Sequence, residues 1–292
     1  MPTDGPIVVG VDGSPSSLAA VRHAARLAER RQVPLHLVHA YQYPIYGYAG
    51  VGFAYPTDVN GENYRDAVEQ DLGGLVQRIH KAHPGVVGVH GEQVNGSTAS
   101  VLLELARGAS VTVLGSRGHG GFAELLLGSV STQVATHAHG PVIVVREAPE
   151  GAPERSEGSV VVGYDGSAGA DPALRFAADE ALSRGVPLNV VRFYTPEIEG
   201  ARELAELTTT DVAEQLAVSH PALDVDARAL PGESAAVGLI ELSLLADLTV
   251  VGSRGHGGFA DLLVGSVGRG LLHHAQGPVA VVHPTDEERK TS

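Results

Sequence analysis

The apolar positions of this chain form two kinds of segment, and the two kinds alternate. Residues 7–11, 35–40, 111–114 and 141–145 are short continuous apolar runs. Such runs suit strands buried on both faces of a parallel sheet. Residues 86–94 are less apolar and broken by glycines, which predicts an edge strand. Between these runs, apolar residues recur at helical spacing. Residues 14–31 carry Leu18, Val21, Ala25 and Ala28 behind Ser14 or Ser16 as an N-cap. Residues 62–83, 97–107 and 129–138 supply three more helices, the last opening directly after Gly128. The same order follows in the second half. Strands are predicted at 160–164, 188–193, 224–230, 248–251 and 278–282, with helices at 172–184, 201–219, 234–245 and 266–275.

The halves are copies. The segment Gly115-Ser-Arg-Gly-His-Gly-Gly-Phe-Ala123 returns unchanged at Gly252, 137 residues on, and Val9-Gly-Val-Asp-Gly-Ser14 returns as Val162-Gly-Tyr-Asp-Gly-Ser167, 153 residues on. The first copy therefore holds 16 extra residues, assigned to the Tyr/Gly-rich stretch 41–60, an extended loop that can serve as lid or partner surface. A period this long means duplication of a whole domain rather than a solenoid. The expected domains are 1–147 and 159–292, joined by a Pro/Gly/Glu-rich linker, 148–158. Alternating strands and helices predict an α/β fold, two tandem doubly wound, Rossmann-like parallel sheets of five strands. Unusual residues sit after strand one (Asp12-Gly13-Ser14) and strand four (Gly115 to Gly118) of the first copy. If both line one crevice, those strands are neighbours and the order is 3-2-1-4-5.

Composition narrows the function. With 20 basic and 34 acidic side chains the net charge is −14, unlike a nucleic-acid binder. There is no cysteine for disulfides, thiolate metal sites or thiol catalysis, and no tryptophan. No run reaches the roughly 18 apolar residues of a membrane span, and no leader pattern opens the chain, so a cytoplasmic protein is expected. The 37 glycines, about 13% against a usual ~7%, gather at loop tips. Glycine lets another molecule approach the main chain, and a helix start attracts phosphate. The amides of Gly128, Ser129 and Val130, with the hydroxyls of Ser129 and Ser131, are the candidate anion donors. Arg117 can add a positive charge or pair with an acidic neighbour. Neither the P-loop nor the dinucleotide fingerprint fits: Gly121-Phe122 stands where the first needs Lys-Ser/Thr, and the second would follow the wrong strand.

Gly115-x2-Gly118-x9-Gly128-Ser129 and Gly252-x2-Gly255-x9-Gly265-Ser266 resemble the ATP-binding signature of the universal stress protein family. The early Val-Asp-Gly-Ser block and the closing Gly-Pro-Val-Ile-Val-Val are similar to that family too. The resemblance covers nearly the whole chain as a tandem. It implies the 3-2-1-4-5 fold, an adenine nucleotide with Mg2+ in each copy, and a stress or dormancy role. It places Gly10, Val11 and Asp12 beside the adenosine and the backbone of Ala40 against adenine. Gly115, Ser116, Arg117, Gly118, Gly128, Ser129, Val130 and Ser131 would hold ribose and phosphates. In copy two these become Gly163, Tyr164, Asp165, Phe193, Gly252, Ser253, Arg254, Gly255, Gly265, Ser266 and Val267. Ser131 becomes Gly268, removing a hydroxyl, and Ala40 becomes Phe193, which would crowd or stack on adenine. The resemblance further suggests pairing through the last strand of each copy, an intrachain pseudo-dimer, with chains pairing again as a homodimer.

Plainer readings stand beside these. Asp12 and Asp165 can simply cap helix one, and the Gly115 loop can be a tight turn. His119 and His256 read as surface loop histidines. His80/His83, His137/His139 and His273/His274 lack a metal-site spacing, so no metal cluster is expected. No base is evident to activate water, so the expectation is a nucleotide-dependent regulator, not an enzyme, with at most slow ATP hydrolysis. The alternatives are an adenylyl-transfer enzyme on a related fold, or a scaffold that binds no nucleotide. A Gly115→Glu replacement is expected to abolish binding in copy one with the fold intact.

Overall fold

The structure is a computed structural model that describes residues 5–42, 62–118, 126–146, 158–255 and 264–284. His119, His256, most of the Tyr/Gly-rich stretch and all of the linker except Gly158 lie outside the described residues. In the first half β1 (Ile7–Gly10), α1 (Pro15–Arg31), β2 (Leu35–Tyr41), α2 (Glu62–Ala82), β3 (Val89–Asn95), α3 (Thr98–Ala106), β4 (Val111–Gly115), α4 (Ser129–His137) and β5 (Pro141–Val145) follow in turn. The second half repeats them as β6 (Ser159–Gly163), α5 (Asp171–Arg184), β7 (Leu188–Tyr194), α6 (Ala201–Ser219), β8 (Val225–Pro231), α7 (Ala235–Leu242), β9 (Ala246–Gly252), α8 (Ser266–His274) and β10 (Val279–Val282).

All ten strands belong to one sheet, ordered β3-β2-β1-β4-β5-β10-β9-β6-β7-β8. Each half thus has the expected 3-2-1-4-5 order, with the glycine-interrupted β3 at an outer edge. Pairing is parallel everywhere except at the centre, where β5 and β10 run antiparallel. There Ile143 lies opposite Ala280, its counterpart 137 residues on. A pseudo-twofold axis therefore passes through that pair. The last-strand association read from the resemblance is made within the chain. It consumes both last-strand edges, so a second chain has to pair elsewhere.

The inner strands β1, β4, β5, β6 and β10 are mostly apolar because helices cover both faces, whereas the outer strands carry polar residues. Ile7, Val9, Leu35 and Leu37 pack under α1 and α2, and their equivalents Val160, Val162, Leu188 and Val190 under α5 and α6. Val8, Val38, Val142 and Val144 face α3 and α4, with Val161, Val191, Val279 and Val281 facing α7 and α8. Local signals set the helix ends. Ser14 caps α1, its hydroxyl oxygen accepting from the Ser17 amide, and Pro15 occupies the first turn where no amide hydrogen is needed. The helix stops at Gln32, held left-handed at φ 55°.

Two contacts lock the halves together on the α4/α8 face. Arg146, just after β5, donates from Nη2 to the Leu272 carbonyl of α8 at 2.6 Å. His283, its counterpart after β10, meets the Ala135 carbonyl of α4 at 2.8 Å through Nε2. Ala135 and Leu272 are themselves equivalent, so each half reaches into the last turns of the other half's final helix. On the opposite face Glu180 of α5, completely buried, receives both Arg31 of α1 and Arg184 of its own helix. Arg31 and Arg184 are equivalent residues. The equivalent of Glu180 is Leu27, so one carboxylate serves the arginines of both halves.

Candidate nucleotide site at the strand tips

β1 and β4 are direct neighbours, so the loops that follow them meet. At Gly115 the contact with backbone is close enough to demand glycine. A Cβ on Gly115 would stand 2.6 Å from the Ser16 carbonyl carbon, and one on Gly118 would collide with the Asp12 carboxylate. The second half repeats both: Gly252 abuts the Gly169 carbonyl, at 2.7 Å from such a Cβ, and Gly255 the Asp165 carboxylate. The first glycine of each signature, Gly115 and Gly252, and the glycine that ends strand one, Gly10 and Gly163, therefore serve chain packing first. Gly10 lies against Leu102 and Leu114, and Gly163 against Leu239. The Gly115→Glu expectation is corrected by this geometry: a side chain there strikes the backbone of α1, so the fold would not stay intact.

The aspartates do not cap helix one. Asp12 Oδ1 accepts from the Ser14 amide at 3.0 Å, and Asp165 Oδ1 from the Ser167 amide at 2.9 Å. Each closes a short turn that directs its carboxylate toward the second glycine of the signature. In the first half, Ser16 also ties the loops: its Oγ donates to the Arg117 carbonyl and accepts from the Arg117 amide at 3.1 Å. Gly169 replaces it in the second half and makes no such bond. The Ser167 and Ser253 hydroxyls there are buried without a partner among the described residues.

The helix starts supply the donors, shifted by one residue from the sequence expectation. Gly128 donates its amide to the Ser116 carbonyl at 2.7 Å, and Gly265 to Ser253 at 2.8 Å. Neither is available to an anion. The Ser116 and Ser253 amides are likewise committed, to Val145 and Val282, each at 2.8 Å. The first intrahelical bonds run from Thr132 to Gly128 and from Arg269 to Gly265. The amides of Ser129, Val130 and Ser131, and of Ser266, Val267 and Gly268, precede them, as helix geometry requires. No acceptor for the Ser129, Val130, Ser266 or Val267 amides occurs among the described residues. The Ser131 hydroxyl is not a ligand donor: it bonds the Gly115 carbonyl at 2.6 Å. Its replacement by Gly268 costs copy two a structural bond, and a Cβ there would lie 2.9 Å from Val264.

Ala40 and Phe193 end β2 and β7 on the same crevice rim, partly exposed. The Phe193 ring lies on Gly238 and Gly232. It is committed to packing against α7, so the ring is not available to stack on a ligand. Beside Asp165 a cleft of ≈ 350 Å³ opens between the strand tips and α6, lined by Tyr164, Gly166, Arg192, Thr208 and Asp211. Among the described residues it is lined from the β6 tip, β7 and α6. Tyr164 donates to Asp171 Oδ1 at 2.7 Å; burial and that carboxylate push its phenol well above the usual range. Arg117 and Arg254 lie beside the cradle, exposed, on the turn after β4 and β9.

A model of the universal stress protein family matches residues 5–146 and again 158–283. A universal stress protein of Mycobacterium tuberculosis is 34% identical over 290 residues, covering 94% of this chain and 95% of its own length. One from Mycolicibacterium smegmatis is 36% identical over 292 residues, covering 97% and 98%. Among solved structures, a universal stress protein from Archaeoglobus fulgidus shares the fold at a TM-score of 0.72 and 19% identity, covering 95% of this chain and 98% of that one. The match recurs in both halves and spans nearly all of each relative, and the halves share one strand order: the chain belongs to the universal stress protein family, as a tandem of two of its domains.

Proposed function

We propose that each half binds ATP at the meeting point of its first and fourth strands, and that occupancy makes the chain a nucleotide-dependent stress regulator. The observation that carries this is the cradle of helix-start amides at Ser129 and Val130, and at Ser266 and Val267, which have no acceptor among the described residues, beside a carboxylate-bearing strand tip. Aligned amides and the helix dipole favour a phosphate there, and an acidic protein needs such local donors to hold an anion. A carboxylate at Asp12 or Asp165 suits the hydroxyls of a ribose, as accepting partner. Mg2+ accompanies such phosphates chiefly through phosphate and water oxygens. Turnover is expected to be slow, and regulation to work through different affinities for two conformations. A homodimer, if formed, uses a surface other than the last strands.

Gly128→Asp tests the site without disturbing the fold. A Cβ there meets nothing nearer than 3.4 Å. Aspartate is a favoured N-cap whose carboxylate accepts from the second and third amides of the helix. It would fill the cradle with the protein's own charge. We expect Gly128→Asp with Gly265→Asp to abolish the thermal shift given by Mg-ATP while keeping the melting temperature of the unliganded protein. Acid-quenched protein, chromatographed, should release ATP from the parent and none from the double variant. Equal nucleotide content and equal shift in the two proteins would remove the helix starts from the mechanism.

A further inference from the structure

Three side chains outside the nucleotide site converge at the outer edge of the sheet: His36 on β2, and His90 and Glu92 on β3. Strand register brings them together. His36 lies opposite His90, and Val38 opposite Glu92. Leu35 and Leu37 point to the α1/α2 core, so His36 points to the other face, and His90 and Glu92 alternate onto that face with Val94. There the two rings are 5.1 Å apart and tilted at 41°. His36 Nε2 is 2.9 Å from Glu92 Oε2. One ligand atom from each of the three lies within 4.8 Å of the other two.

We propose that His36, His90 and Glu92 form a divalent transition-metal site, best suited to Zn2+, with a fourth position open to water. Two imidazoles and one carboxylate are a donor set that zinc accepts. Tetrahedral zinc with bonds of about 2.0–2.1 Å spaces its ligand atoms about 3.3 Å apart. The 2.9 Å between His36 and Glu92 is close to that spacing, and the His90 ligand atom lies within 4.8 Å of both, so side-chain rotations can close the site. All three residues are carried by hydrogen-bonded strands, which limits the entropy lost on binding. The site is partly exposed, so the ion has a path in.

The second half of the chain supplies an internal comparison. In the same register, β7 and β8 carry Asn189, Asp226 and Arg228. Asn189 donates to the Ser159 hydroxyl at 2.9 Å, and Arg228 Nε donates to Asp226 Oδ1 at 2.8 Å. There a built-in guanidinium neutralises the acidic group. In the first half the corresponding place holds three metal-ligating groups and no guanidinium. Binding would clip the outermost strand, β3, to β2. The sequence directed attention to histidines close in number; here His36 is 54 and 56 residues from His90 and Glu92, and they meet through register.

The test uses full-length protein stripped with a chelator and titrated with ZnCl2 against a chromophoric competitor. The parent should take up one Zn2+ more tightly than its remaining histidines do, and its melting temperature should rise with zinc. His90→Ala, at an exposed position, should weaken that binding about 100-fold or more, since even groups that merely orient ligands are worth 10–100-fold. Importing the second half's residues, H36N with H90D and E92R, should abolish the tight site and the zinc-dependent stabilisation. Its melting temperature in chelator reports that the fold survives. Zinc binding unchanged in His90→Ala would overturn the proposal and reduce the cluster to a His36–Glu92 ion pair. Tight binding that persists in the triple variant would do the same.

Discussion

Glu180→Gln should lower the free energy of unfolding by about 3–5 kcal/mol, the usual cost of breaking a buried ion pair from one side. Glu180 has no exposed surface, and it accepts two bonds from each of two guanidiniums. Arg31 reaches Oε1 at 3.0 and 2.6 Å, and Arg184 reaches Oε2 at 3.1 and 2.5 Å. Burial alone would raise this carboxyl's pKa; the two arginines outweigh it and hold the carboxyl below its ordinary range. Glutamine keeps the shape and removes the charge, leaving Arg31 and Arg184 on either side of a neutral amide that can accept at only one of its two ends. Because the folded pKa is depressed, the stabilisation is complete above the ordinary carboxylate range and drains as pH falls through the folded value. Removing all three charges together, E180L with R31M and R184M, should be neutral or better, since apolar groups of similar size commonly replace buried ionic triads without loss. Urea unfolding at pH 7 decides between them. A midpoint for Glu180→Gln within error of the parent would mean that water reaches the carboxylate.

Stability should also fall steeply on mild acidification, through His23. This residue is buried among the alanines of α1, and its Nε2 has no partner among the described residues. Burial first, then Arg184, Arg26 and Arg30, hold its pKa well below that of a free histidine. The sign follows directly. The unfolded chain binds a proton near pH 6.5 and the folded chain does not, so the native state is favoured above that pH and penalised below it. The loss approaches about 1.4 kcal/mol per pH unit for one proton. The second half shows which residue the position tolerates, because Phe176 is the equivalent of His23. His23→Phe should therefore flatten the stability profile between pH 6.5 and 5. An unaltered slope in that variant would assign the acid sensitivity to other groups.

The sheet order was legible because the residues that carry it are unusual. Asp12 and Gly118 can lie in one crevice only if strands one and four are adjacent, and the structure has them in contact. The edge position of β3 was visible in its glycines. What the sequence concealed was the partner of each polar group. Gly128 looked like an anion donor, since nothing in its neighbourhood announces that the Ser116 carbonyl takes its amide. Ser131 looked like a ligand for the same reason. Gly115 looked open to a ligand, whereas its missing side chain is required by Ser16. Phe193 looked like a base-stacking ring until Gly238 was seen beneath it. The Glu180 triad joins residues almost 150 positions apart, and its signal, a lone Glu aligned with Leu27, emerges once the halves are superposed. The His36 cluster was concealed because β3 starts at Val89 rather than 86, and only that register sets His90 opposite His36.

The antiparallel junction of β5 with β10 has a consequence for the gene as well as for the fold. Pro141–Val145 and Val279–Val282 carry no charge and are almost completely buried. Cut the chain at the linker, and each fragment would present a bare hydrophobic ribbon, with unpaired amides and carbonyls, to every neighbour in solution. Such fragments would find each other or precipitate. A gene that encodes both halves in one chain gives each last strand its partner at equal dose and in the same molecule.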